Sequence, residues 1–61
     1  MELGDKINLL RLQAGLTQEE LADNMNVSRQ AVSKWENDSA VPELDKLIKL
    51  SKIFGVTLEL N

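Results

Sequence analysis

Apolar residues recur along the chain at the three- and four-residue spacing of an α-helix, in short stretches separated by turn residues. In the first stretch Leu3, Ile7 and Leu10 fall on one helical face. This spacing predicts a first helix that ends near Ala14. Gly15 follows and suits the left-handed backbone that closes many helices.

A second helix is predicted to begin after Thr17. The sequence from Thr17 to Glu20 has the form of a capping box, in which the threonine oxygen and the glutamate side chain each bind a backbone amide of the first turn. The apolar face of this helix comprises Leu21, Ala22 and Met25. Asn26 tolerates a positive φ at comparatively low cost, so we expect the chain to turn there.

Ser28 is a suitable N-cap for a third helix with two different faces. The inward stripe comprises Ala31, Val32 and Trp35, and the opposite face carries Arg29, Gln30, Ser33 and Lys34. Helical periodicity places Trp35 on the buried side, so we expect it to pack in the core rather than stack on a ligand.

The next helix is predicted from about Glu43 to Phe54, after a turn at residues 37–39 and Pro42 at the helix entrance. Its predicted apolar stripe comprises Leu44, Leu47, Leu50, Ser51 and Phe54. Gly55 closes it. Thr57 is a candidate cap for a last helical turn, which would contain Leu58 and Leu60.

The fold class expected from this pattern is all-α, a compact bundle of four to five helices. Sixty-one residues allow one domain at most, and a chain of this length buries only about 60% of its unfolded surface. We therefore expect one domain over residues 1–61, or the N-terminal domain of a longer chain. With no cysteine, packing alone must hold it together.

Composition narrows the function classes. The chain has no His, Cys or Tyr and no Gly-rich phosphate loop, and its carboxylates cluster where helices start, so we expect no enzyme, metal, cofactor or small-molecule substrate. It lacks an apolar run that could span a bilayer and a signal-peptide pattern at Met1, which favours a soluble, cytoplasmic protein. The three lysines Lys46, Lys49 and Lys52 are expected on a solvated helix face.

A net charge of -3 weighs against nucleic acid, because lysine and arginine supply most non-specific affinity for phosphate. The distribution of charge changes this reading. Residues 28–35 contain Arg29 and Lys34 but no acid. An acidic chain with a locally basic helix face remains compatible with DNA.

Residues 18–37 also meet the requirements of two helices that cross at a sharp angle, with a small residue at the crossing and a turn residue between them. Leu16 to Ala22, Val27 to Asn37, and Pro42 with Leu44 and Leu47 resemble the helix-turn-helix of the phage repressor and Cro family, also called the XRE family. The likeness covers nearly the whole chain. Asn26 and Asp38 depart from the family's usual glycines, and both tolerate left-handed backbone.

The resemblance implies a lambda-repressor-like bundle with the helix-turn-helix at helices two and three. In such proteins the third helix enters the major groove of double-stranded DNA. The implied base-reading residues are Arg29, Gln30, Ser33 and Lys34. Arginine can pair with guanine and glutamine with adenine, whereas serine is permissive and Lys34 could reach a base or a phosphate.

Other positions match the family's backbone contacts. The resemblance places Gln18 and Ser28 at phosphates, where they would set register and strength, with Asn37 and Ser39 as weaker candidates. It also implies a partly buried ion pair between Arg11 and Glu36.

The expected function is a transcriptional regulator, a repressor or antitoxin-like autoregulator, that binds a two-fold symmetric operator as a homodimer. Leu58 and Leu60 are candidates for the dimer contact or for core cover. The alternative is a protein-interaction module that uses the same fold without touching DNA, which the net acidity favours. In that alternative helix three, or the end that carries Leu58 and Leu60, contacts another protein. A separate alternative is that the outward residues of helix three are simply a solvated face.

Overall fold

The computed structural model describes residues 2–56, although the side chain of Glu2 is excluded. Over this part of the chain four helices follow one another and no strand occurs: α1 Glu2–Gln13, α2 Gln18–Met25, α3 Arg29–Glu36 and α4 Leu44–Phe54. The all-α prediction is confirmed. The predicted last turn, with Thr57, Leu58 and Leu60, lies outside the described residues.

Local capping fixes where α2 and α3 begin. The amide of Glu20 donates to Thr17 Oγ1 over 3.0 Å, and the amide of Thr17 donates to Glu20 Oε1 over 2.8 Å. Ser28 Oγ accepts from the amide of Ala31 over 3.2 Å. These bonds occupy amides that have no partner within the helix, so the predicted capping box and N-cap are both confirmed.

Left-handed backbone closes the turns that the sequence singled out. Asn26 has a φ of +58° and Asp38 a φ of +64°, the two positions where the chain departs from the family's glycines. At Asn26 the following amide, that of Val27, donates back to the carbonyl of Ala22 over 3.0 Å. The sharp turn between α2 and α3 therefore forms without glycine, as expected for asparagine.

The core lies where α3 packs against both α1 and α2, while α4 packs against α2. Its buried members are Ile7, Leu21, Ala22, Met25, Val32, Trp35 and Leu50, with Leu47 buried beside them on α4. Trp35 is buried as predicted. Gly4 lets α1 approach the end of α3 closely, because a Cβ there would lie 2.7 Å from the carbonyl oxygens of Trp35 and Glu36.

The prediction for the start of α4 is wrong at one residue. Leu44 was placed on the apolar stripe, but it is 67% exposed. Pro42 supplies the buried apolar side chain at this end instead. The helix itself begins at Leu44, with Glu43 as its cap. Val41, Leu44 and Ile48 are all exposed on this side of α4 or just before it.

None of the helices described is long and apolar enough to cross a membrane.

Candidate nucleic-acid interface

One face of α3 presents polar side chains to solvent, opposite the buried Val32 and Trp35. Arg29, Gln30 and Lys34 are exposed, while Ser33 is partly buried. The helix thus has the two faces that its sequence predicts, although Ser33 is less exposed than the other three outward residues. Residues 29–35 contain no acid, so this face is basic within an acidic chain.

Glu36, the last residue of α3, turns away from this face toward α1. Its Oε2 accepts from Arg11 Nε over 2.7 Å, and their side chains are only 10% (Arg11) and 6% (Glu36) exposed. Arg11 Nη2 donates to Glu36 Oε1 over 3.2 Å, and Arg11 Nη1 donates to the carbonyl of Leu16 over 2.8 Å. The ion pair implied by the family resemblance is therefore present, and it joins α1 to the end of α3.

Two amide side chains complete the shell around this carboxylate. Asn8 Nδ2 donates to Glu36 Oε1 over 2.8 Å, and Gln18 Nε2 donates to the same oxygen over 3.1 Å. Three helices thus meet at one carboxylate. Among the described residues, no buried side-chain nitrogen or oxygen lacks a hydrogen-bond partner.

Burial and hydrogen bonding act on the pKa of Glu36 in opposite directions. Burial by itself raises the pKa, because it disfavours the charged carboxylate. The hydrogen bonds from Arg11, Asn8 and Gln18, together with the charge of Arg11, outweigh burial and hold the pKa of Glu36 below its ordinary value. The carboxylate is therefore ionised at neutral pH.

Gln18 also faces the candidate reader at the start of α3. Arg29 Nη1 donates to Gln18 Oε1 over 3.4 Å. Gln18 is the first residue of α2, so it was expected near phosphate, and the structure adds that its amide connects Arg29 to Glu36. Sequence reasoning considered Gln18 only as a backbone contact and missed this link, and it missed Asn8 because no pattern distinguishes Asn8 from a solvated helix position.

The remaining candidate backbone contacts lie at the two ends of α3. Ser28 precedes the helix and Asn37 follows it, and both are exposed, as is Ser39. Asn37 Oδ1 accepts from the amide of Ser39 over 2.9 Å. Ser28 Oγ and Asn37 Oδ1 thus stabilise the local chain at the two ends of α3.

The surroundings of this face are open. A shallow groove is lined by residues that include Leu12, Thr17, Gln18 and Arg29. Its openness suits contact with a large surface rather than enclosure of a small molecule. No group of His, Cys, Asp or Glu within residues 2–56 is arranged to hold a metal ion.

Comparison with known proteins identifies related chains. The helix-turn-helix family matches residues 7–61. The HTH-type transcriptional activator BcrR of Enterococcus faecalis is 44% identical over 59 residues, which cover 97% of this chain and 29% of that protein. The HTH-type transcriptional regulator ImmR of Bacillus subtilis (strain 168) is 36% identical over 59 residues, covering 97% of this chain and 46% of ImmR.

A relative from a plant carries a different kind of name. Multiprotein-bridging factor 1c of Arabidopsis thaliana is 38% identical over 52 residues, which cover 85% of this chain and 35% of that protein. The chain thus spans less than half the length of each of these three relatives.

Proposed function

Because this chain belongs to the helix-turn-helix family, in its XRE group, we propose that it is a sequence-specific DNA-binding regulator whose helix α3 reads the major groove. The observation that carries the proposal is the exposed, acid-free face of α3, with Arg29, Gln30 and Lys34 held outward by the buried Val32 and Trp35. This role requires no catalysis, cofactor or small-molecule substrate.

The chemistry of this face suits base edges. Arg29 can donate two hydrogen bonds to O6 and N7 of guanine, and Gln30 can pair with N6 and N7 of adenine. The hydroxyl of the partly buried Ser33 would pair with several bases and so discriminate little. Lys34 lies one turn beyond Gln30 and would contact a base or a phosphate.

Phosphate contacts are proposed at the ends of the helices. Gln18 begins α2, and Ser28 caps α3. Amides at helix N-termini favour anions, so these residues would fix the register of the domain on the DNA backbone. Asn37 and Ser39, after α3, are proposed as weaker backbone contacts.

The first test is selection from random-sequence DNA at physiological salt, followed by affinity measurements over a range of salt concentrations. We expect an enriched half-site and an affinity that falls steeply with salt, because bound phosphates release counterions. No enrichment by the parent chain would contradict DNA reading. The double variant Arg29→Ala, Gln30→Ala is the matched control, and it should select no common sequence.

We also propose that two copies bind a two-fold symmetric operator. The described part of the chain measures 26 × 24 × 20 Å between Cα atoms, whereas successive major grooves on one face of DNA lie about 34 Å apart. One domain therefore covers one half-site. A homodimer would read two half-sites and gain both affinity and specificity.

Repression in the cytoplasm is the proposed outcome of operator binding. A reporter gene placed behind the selected operator tests the direction, and we expect its expression to fall when the chain is supplied. The relative from Enterococcus faecalis is named an activator. A rise in expression that depends on Arg29 and Gln30 would contradict repression while supporting DNA reading.

A protein-interaction module is the second candidate function. Val41, Leu44 and Ile48 are exposed apolar side chains, and a relative is named a multiprotein-bridging factor. A mainly apolar contact would depend little on salt, whereas DNA binding depends on it steeply. A partner whose binding persists at high salt and is lost with Leu44→Asp would favour this candidate.

A further inference from the structure

An exposed apolar patch lies at the start of α4 and shares no residue with the proposed reading face. Its members Val41, Leu44 and Ile48 are 64%, 67% and 48% exposed. Leu44 and Ile48 are four residues apart in the helix, so their side chains are neighbours on one side of it. Large apolar side chains that are exposed together on a small protein commonly mark a surface that contacts another molecule.

The charged residues beside this patch change sign along α4. Asp45 lies in the first turn of the helix and Lys52 in the last turn, with Lys49 between them, and all three are exposed. The Asp45 carboxylate lies 3.7 Å from Lys46 Nζ but is still 74% exposed, so it has room for a second cation. The outer side of α4 therefore carries an exposed acid near its start and exposed lysines toward its end.

A helix with this order of charges is complementary to a second copy of itself that runs in the opposite direction. Asp45, Ile48 and Lys52 are spaced by three and four residues, so they share one side of α4. A helix rises about 1.5 Å per residue, so a two-fold axis at Ile48 sets Asp45 of one copy within about 1.5 Å of the level of Lys52 of the other. Symmetry forms this contact twice. Parallel helices would instead set like charges side by side.

Pairing through α4 leaves the proposed readers uncovered. None of Arg29, Gln30 and Lys34 belongs to this surface, and α3 packs against α1 and α2 whereas α4 packs against α2. One side of an 11-residue helix is a smaller contact than stable complexes form, so we expect a weak pair in free solution. An operator with two half-sites would strengthen the pair, because the first bound copy raises the local concentration of the second.

We infer that two copies of this chain pair through the outer sides of their α4 helices, in antiparallel orientation, with Ile48 at the two-fold axis and Asp45 of each copy beside Lys52 of the other. The inference rests on the proposed function for its role on DNA, where it specifies the contact within the homodimer. The pairing itself can be measured without DNA. Leu58 and Leu60, the contact residues expected from the sequence, lie outside the described part of the chain.

Sedimentation equilibrium at low ionic strength, over a wide range of chain concentrations, tests the surface. We expect the parent chain to exchange reversibly between monomer and dimer. Ile48→Asp places two carboxylates against each other at the axis and should raise the dissociation constant of the dimer at least tenfold. Leu9→Asp is the matched control, because it introduces the same charge at a leucine that is 54% exposed on α1, and it should leave the constant unchanged.

An exchange of charges tests the antiparallel arrangement. Asp45→Lys sets a lysine against Lys52 of the second copy, and Lys52→Asp sets an aspartate against Asp45, so each variant should pair with itself several-fold more weakly than the parent does. A mixture of the two variants, one of them fluorescently labelled, places opposite charges at both contacts. We expect it to form mixed pairs about as tightly as the parent pairs with itself. Thermal unfolding verifies that each variant is folded.

The outcomes separate the inference from the proposed function. A parent chain that stays monomeric at every concentration overturns the inference, and so does Ile48→Asp that pairs as tightly as the parent. Mixed variants that pair no better than either variant alone overturn it as well. In each of these cases the proposed function stands if the parent selects an operator half-site from random DNA. A parent that pairs through α4 but selects no DNA overturns the proposed function and leaves the pairing intact.

Discussion

Glu36 and Arg29 lie on the same short helix yet have different surroundings. Glu36 is nearly enclosed, with partners from α1 and α2, whereas Arg29 is exposed and donates to Gln18. Removing Glu36 leaves buried donors without an acceptor, while removing Arg29 leaves a solvated surface. We therefore expect substitutions at Glu36 to act on stability and substitutions at Arg29 to act on recognition.

The reader variants should change sequence preference at separate operator positions. A good bidentate contact discriminates by about 1 to 3 kcal/mol, so Arg29→Ala and Gln30→Ala should each flatten preference at one position. Lys34→Ala should make the slope of log affinity against log salt shallower by about 0.9 if it contacts a phosphate. An operator panel at two salt concentrations measures both effects.

Lys49→Ala is the control for Lys34→Ala, because it removes an exposed lysine from α4 rather than α3. It should change neither the salt slope nor the ranking of operators. If Arg29→Ala and Gln30→Ala together leave that ranking intact, α3 is not the reader, and the protein-interaction candidate becomes the better one.

Glu36→Ala should destabilise the fold by about 3 to 5 kcal/mol, because Arg11 would remain charged and buried without its partner. The measurement is the free energy of unfolding in denaturant. Asp45→Ala is the matched control, since the Asp45 carboxylate lies 3.7 Å from Lys46 Nζ and is 74% exposed. An exposed pair contributes only about 0 to 1 kcal/mol. If both variants lose the same free energy of unfolding, the buried pair stabilises the fold no more than the exposed pair does.

The lowered pKa of Glu36 predicts acid sensitivity. Its stabilising effect is complete above the unfolded-state value of about 4.3 and is lost as the pH falls through the lower folded-state pKa. The difference in unfolding free energy between the parent and Glu36→Gln should therefore be constant from pH 7 to about pH 5 and shrink below it. A difference that stays constant down to pH 3 would rule out this linkage.

At the scale of the elements, the helices are short and depend on how closely they pack. α2 and α3 have eight residues each, too few to be stable alone in water. Their caps fix where they begin, but burial against α1 and α4 holds them in place. The closest approach is at Gly4, where α1 lies directly against the backbone at the end of α3.

Gly4→Ala should therefore destabilise the protein even though alanine favours helices. The new Cβ would meet the carbonyl oxygens of Trp35 and Glu36 at 2.7 Å, so α1 must move away from α3. Such overpacking costs about 1 to 3 kcal/mol, against a helix gain of about 0.5 to 1 kcal/mol. Thermal unfolding measures the net loss. Lys6→Ala, at an exposed position of the same helix, should change stability by less than about 0.5 kcal/mol.

At the scale of the whole molecule, small size and net negative charge limit the affinity that the chain could have for DNA. A chain with a net charge of -3, whose described part is 26 Å across, gains little from non-specific attraction to phosphate. On the proposed function, affinity would then come from base contacts on α3 and from pairing two domains on one operator. An acidic regulator of this kind should discriminate strongly between operator and random DNA.

Paired binding predicts a strict dependence on half-site spacing. Half-sites about 10 base pairs apart, centre to centre, present their major grooves on one face of the DNA. Insertion of about 5 base pairs turns one half-site to the opposite face, so we expect the joint affinity to drop to that of a single half-site. Affinity for operators of different spacing measures this dependence, and footprinting shows how many half-sites are covered. A lone asymmetric footprint at saturation would contradict the homodimer.

Local chemistry let the sequence by itself determine the elements of this protein. The caps at Thr17 and Ser28 and the turns at Asn26 and Gly55 act over four or five residues, so they can be recognised without knowing the fold. The buried face of α3 follows equally from helical spacing. Its outward face, with the proposed readers, was predictable for the same reason.

Only the tertiary structure decided how distant segments meet. Gln18 lies 18 residues from Glu36 and 11 from Arg29, and Asn8 lies 28 residues from Glu36, so no periodicity relates these side chains. The exposure of Leu44 and the burial of Pro42 likewise depend on what packs beside the start of α4. Helical spacing fixes a residue's direction around its own axis, but only the arrangement of neighbouring helices fixes what that side chain contacts.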